Sequence, residues 1–155
     1  MTESPDFDTN AAHKHFSVHC FNRAWDLIDK PQRTTEEDAE MLHLSVASLW
    51  HWTQRADCSK MNLSVGYWQV SRIYTLLDRA EEARRYGQLC LDVSQGDEVL
   101  PFYRGYAYEA LAQAESVAGN AEKRDAHLAA ARQVAAIMSD PEAKQQLLDD
   151  LATIG

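Results

Sequence analysis

A chain of 155 residues, 45% hydrophobic and 25% charged, has the size and composition of one soluble globular domain spanning 1–155. Its net charge of -9, with no Lys/Arg cluster to offset it, argues against nucleic acid and anionic membranes, whose phosphates require a basic face. No apolar run approaches the ~20 residues that cross a bilayer.

The opening MTESPDFDTN is acidic and lacks the basic-then-apolar pattern of a secretory leader. Residues 1–7 are therefore expected to be a flexible lead-in to a cytoplasmic protein. Strand signals are almost absent, whereas helix signals recur along the chain. Residues 8–29 carry an apolar stripe of Phe16, Cys20, Phe21, Ala24, Trp25 and Ile28, which predicts a first helix stopped by Pro31. Thr34-Thr35-Glu36-Glu37 offers a capping box, and a second helix is expected from there to about Arg55. A break at Asp57-Cys58-Ser59 precedes a third helix over roughly 61–77. Asp78 and Glu81 form a possible second box opening a fourth, roughly 79–94, which Gly96-Asp97 ends. A fifth helix is expected over 101–118, with Gly119-Asn120 as its stop, and a sixth over 121–138. Ser139-Asp140-Pro141-Glu142 supplies a cap, a proline at the first helical position and an acid in the first turn, so a seventh follows.

The third and fifth helices overlay at an offset of 41 residues, with Tyr67 on Tyr108, Val70 on Leu111, Ser71 on Ala112 and Asp78 on Gly119. The first joins the third at an offset of 49, with Phe21 on Val70 and Trp25 on Tyr74. Such matches, with a small residue facing the partner helix, mark stacked helical hairpins. The stretch GYWQVSRIYTLLDRAEEARRYGQLCL resembles a tetratricopeptide repeat, and YEALAQAESVAGNAEKRDAHLAAA resembles a second. Glu115 stands where that family has an aromatic, and Arg124 where Ala83 supplies the small residue. The whole chain is also similar to uncharacterised bacterial proteins of tetratricopeptide type, a resemblance that implies a fold and no activity. The expected architecture is all-α: about seven helices, forming three stacked antiparallel hairpins and a C-terminal capping helix.

HLSVASLWHW, from His43 to Trp52, has the composition of either a ligand pocket or a filled core. At 100° per residue, Ala39, Leu42, Val46, Leu49 and Trp50 share one broad apolar face. His43 and His51 are eight residues apart, ~12 Å along a helix axis, which is far for one metal ion. The stretch is therefore read as mostly core, with hydrogen-bonded histidines at its edge.

His15 and His19, spaced by four, are the better metal pair, and Asn22 and Asp26 continue their column. In size and in this pair the chain is similar to the DNA-damage-inducible four-helix-bundle family, whose metal site is a His triad. That family carries its HxxxH on the last helix, and this chain carries it on the first. The plain alternative is a solvated helix side. A concave groove is the other candidate. The hairpin offsets would line it with His19, Arg23 and Asp26 from the first helix and Val65, Trp68, Arg72 and Thr75 from the third. The fifth would add Tyr106, Glu109, Gln113 and Ser116. Arg72 can lie over the indole of Trp68, and Trp, Tyr and Arg are enriched at binding hot spots. The same Trp68 would serve equally as filler between hairpins.

No nucleophile elbow, P-loop or dinucleotide fingerprint is present, and Cys90 falls at a packing position. Cys20, Cys58 and Cys90 are odd in number and form no CxxC, which fits reduced thiols. Asp149-Asp150 reads as surface, and Leu147, Leu148, Leu151 and Ile154 as a cap on the open end of the stack or a homodimer seam. The reading is a non-enzymatic module that binds a protein, a peptide or a small polar ligand through His19, Arg23, Trp68, Arg72, Tyr106, Glu109 and Gln113, with no cofactor. The competing readings are a metal-dependent four-helix-bundle enzyme built on His15 and His19, and a structural oligomer subunit.

Overall fold

The structure, a computed structural model, describes residues 3–155. Met1 and Thr2, part of the lead-in expected to be flexible, lie outside the described residues. Seven α-helices and no strand occur among the described residues: α1 (Thr9–Ile28), α2 (Thr35–Thr53), α3 (Lys60–Leu76), α4 (Ala80–Val93), α5 (Pro101–Ala118), α6 (Ala121–Ala136) and α7 (Pro141–Ala152). None is long and apolar enough to cross a membrane. The Thr34 box forms in full: the Thr34 hydroxyl accepts from the Glu37 N–H, and the Glu37 carboxylate accepts from the Thr34 N–H. Asp140 caps α7 by accepting from the Glu142 and Ala143 N–H groups.

The box expected from Asp78 and Glu81 does not form. Arg79 is the N-cap of α4 and makes no side-chain cap bond. Asp78 instead sits at φ +59°, as the left-handed residue that closes α3. Gly119, 41 residues on, takes the same role at φ +73° after α5. The Arg79 N–H donates to the Tyr74 carbonyl at 2.9 Å, and Asn120 to Glu115 at 2.9 Å, so both hairpins turn through one hydrogen-bonded motif.

The chain divides into two compact units, 1–59 and 60–155. The first is the hairpin of α1 and α2. Its buried residues are Ser17, Cys20, Ala24 and Leu27 on one helix and Met41, Ser45, Ser48 and Leu49 on the other. Of the expected apolar face of α2 only Leu49 is buried, since Val46 is 40% and Trp50 55% exposed. The seam runs about a quarter-turn away, through serines small enough to let the helices close up. Ser48 donates to the Ser17 carbonyl at 2.6 Å, a bond that an apolar seam would not make. Of the expected stripe of α1, Cys20 and Ala24 are buried, whereas Phe16 is 43% exposed. Arg33 closes the C-terminal end of α1 by donating to the Leu27, Ile28 and Lys30 carbonyls.

The second unit stacks the hairpin α3/α4 on the hairpin α5/α6, and α7 covers the latter pair. Small residues set the spacing: Ser71, Ala83, Ala107, Ala112 and Ala131 are fully buried. Gly105 makes room for α7, since a Cβ there would stand 2.6 Å from a methyl of Leu147. Leu147 and Leu151 complete a cluster with Ala112, Leu128, Ala131 and Ala135, against which Leu148 and Ile154 pack. Leu147, Leu148 and Leu151 of α7, with Ile154 just past its end, thus cover α5 and α6, the first of the two roles that their spacing offers.

Candidate functional site

In the second unit α5 lies against both α3 and α7, which brings three helices onto one face. The 41-residue offset sets Trp68, Glu109 and Asp150 at equivalent places on them. The indole N–H of Trp68 donates to Glu109 Oε2 at 2.8 Å, and the amide of Gln113 donates to Oε1 at 3.2 Å. The Tyr106 hydroxyl donates to Asp150 Oδ2 at 2.6 Å. Trp68 and Tyr106 meet edge to face at 6.2 Å, and Phe102 lies 4.8 Å from Tyr106, ring centre to ring centre.

Glu109 is 4% exposed, an expensive place for a carboxylate. Burial pushes its carboxyl above the ordinary range, while the bonds from Trp68 and Gln113 and the charge of Arg72 act the other way. Burial, then the bond to Asp150, raises the Tyr106 phenol, which keeps it a donor. Arg72 is half-buried, and among the described residues its guanidinium meets no carboxylate within ion-pair reach. The face thus offers aromatic edges, a buried and held carboxylate, and the Arg72 guanidinium, whose charge reaches that carboxylate without pairing with it.

Trp68, Tyr106, Glu109 and Gln113 are joined by direct contacts and the charge of Arg72 reaches Glu109, but Glu109 is buried, whereas the repeat offset predicts that it lines an open groove. Trp68 is half-buried, donates to Glu109 and meets the Tyr106 ring, contacts that belong to the packing role which the sequence sets beside the groove. Among the described residues, Arg55 lies over Trp52, 3.9 Å from the ring centre, as a cation–π pair. Thr75 is buried and bonds its own helix, and Ser116 donates to the Gly155 carbonyl.

Asp150 corrects an expectation: it is half-buried and joined to Tyr106, whereas Asp149 alone is exposed. Phe102 was also missed. Asp150 is legible by carrying the 41-residue offset one helix further; Phe102 has no such signal beyond its aromatic spacing to Tyr106. The unexpected Glu115 is 1% exposed and held bidentately by Arg84 at 2.6 and 3.1 Å, a charge pair in place of an aromatic plug. Cys90 is fully buried, as expected, and its thiol is pushed up to about 11 by burial, which makes it a poor nucleophile.

His19 and Arg23 belong to the first unit. Both are exposed; Arg23 pairs loosely with Glu40 at 3.6 Å. His15 and His19 stack at 5.2 Å on the exposed side of α1. Among the described residues no three His, Cys, Asp or Glu side chains are grouped so as to hold a metal ion. His43 is exposed, whereas His51 is half-buried and bonded to His13. No protein-family model matches the sequence, and neither a curated protein nor a solved structure matches it.

Proposed function

We propose that the second unit is a tetratricopeptide-like, non-enzymatic binding module whose α3–α5–α7 face holds a peptide segment or a small polar ligand. The observation that carries this reading is the row Trp68–Glu109–Asp150. A carboxylate is buried at the middle of the face and fixed by two donors that do not neutralise it, an arrangement costlier than an apolar core of the same shape. That cost is consistent with a surface shaped for recognition, where held polar groups supply specificity. Arg72 is the donor available to a ligand carboxylate, and Trp68, Tyr106 and Phe102 supply apolar edges beside it. Three free cysteines, two of them buried, fit the reducing setting of a cytoplasmic protein.

A panel of short peptides, with free or amidated C-termini and acidic or basic side chains, tests the reading by calorimetry. Members bearing a carboxylate should bind, and Arg72→Ala should weaken them about tenfold or more with an unchanged melting temperature. Trp68→Phe, which deletes the donor to Glu109, should weaken binding as well. Binding that survives both substitutions would remove this face from the account.

A further inference from the structure

His13 on α1 and His51 on α2 place their Nδ1 atoms 2.8 Å apart. The ring centres stand 5.1 Å apart, close to the farthest separation that rings joined at that distance allow. The two nitrogens therefore point at one another. Two imidazoles that share a metal ion turn their lone pairs side by side toward a third point, so this geometry is that of a proton held between the rings. One Nδ1 carries the hydrogen and the other accepts it.

The proton balance of such a pair is restrictive. In the neutral pair the donor imidazole has its second nitrogen, Nε2, unprotonated. A first added proton binds there and makes the donor an imidazolium, and the shared bond becomes charge-assisted. A second added proton has only the accepting Nδ1 to bind, and that atom is already engaged. Two N–H groups would then confront each other across 2.8 Å, with two positive charges behind them.

We propose that His13 and His51 form an acid-released latch between α1 and α2, closed while at most one imidazole is charged and open once both are. The surroundings favour release. The cavity that His13 lines also carries Lys14 on α1 and Arg55 and Asp57 just beyond α2. Arg55 and Asp57 are joined by two bonds at 2.7 and 2.8 Å, and Lys14 acts on the same carboxylate, so two cations there face one anion. The rings of Trp50 and Phe16, 5.3 Å from His13 and 5.5 Å from His51 respectively, shield the pair without offering an anion. Burial, then the charge of His13, lowers His51 below the usual histidine value, in the same direction. For a base with a lowered folded value, stability is intact above the unfolded value of about 6.5 and is lost as pH falls below it.

The seam beneath the latch is thin. It sets Ser17, Ser45 and Ser48 beside Cys20, Ala24, Leu27, Met41 and Leu49, with no aromatic side chain among them, so polar links such as Ser48 to the Ser17 carbonyl share the hold with a small apolar area. The test uses the full chain with nitrogen-labelled histidine. At about pH 7.5 a scalar coupling should pass between the two Nδ1 atoms; by about pH 5 it should vanish while both rings become charged. Over the same interval, amide protection in α1 and α2 should fall about tenfold relative to α5 and α6. His13→Asn, which cannot take the second charge, should abolish that differential fall, and exposed His15→Asn should preserve it. Two imidazoles titrating independently near 6.5 with no coupling would overturn the proposal. So would an undiminished fall in His13→Asn.

Discussion

The two units solve one problem, joining antiparallel helices, with different chemistry. In the second, alanines and glycines bring helices together and leucines fill what is left: Leu111, Leu147 and Leu151 are at most 2% exposed. In the first, serines occupy the seam, and Phe16, Val18, Val46 and Trp50 remain 40–55% exposed. Buried apolar area is indifferent to solution conditions short of denaturation, whereas a hydrogen bond between imidazoles depends on pH. The contrast therefore separates a unit whose charged pair, Arg84 with Glu115, responds only to acid in the carboxylate range from one whose imidazole link responds near the histidine range.

The largest effect that would sharpen this contrast is at Leu147. Leu147→Ala should cost about 3 kcal/mol in chemical denaturation, since the side chain is fully buried in a cluster without room to collapse. Arg84→Ala comes next, at about 2 kcal/mol, because it strands the Glu115 carboxylate inside the unit. Arg84 holds that carboxyl below the usual range, so the pair stabilises at neutral pH and its contribution is lost as pH falls through the depressed value, below about 4.3. Acid should thus shrink the difference between Arg84→Ala and wild type. The two equivalent turns should respond with opposite signs. Gly119→Ala costs about 1 kcal/mol by forcing a Cβ into the left-handed region, while Asp78→Gly relieves that strain and gains no more than about 0.5 kcal/mol. The smallest effect belongs to the first unit: Trp50→Ala should change stability by under about 1 kcal/mol despite the size of the side chain. A cost at Trp50 equal to that at Leu147 would dissolve the contrast.

The helices were legible because they are punctuated by residues with one local meaning. Thr34, Pro101, Gly119 and Asp140 act through the first shell of backbone bonds, which sequence specifies directly. The repeat offset was legible too, and it located Trp68, Tyr106, Glu109 and Gln113 on one face. Which side of α2 is buried was not legible. Hydrophobicity pointed to Val46 and Trp50, but the seam followed Ser45 and Ser48, whose value lies in their small size and in a bond to a carbonyl on another helix. Partners distant in sequence, such as His13 with His51 or Arg84 with Glu115, carry no local signature at all.

The most direct test of the central claim is to map where a ligand sits. Intermolecular nuclear Overhauser effects should be recorded between the tightest carboxylate peptide and the full chain. The account predicts contacts to the Trp68 indole and to the Phe102 and Tyr106 rings, with the Arg72 guanidinium protons shifted. Contacts confined to the outer side of α4, around Arg85 and Leu89, or to the first hairpin would contradict it.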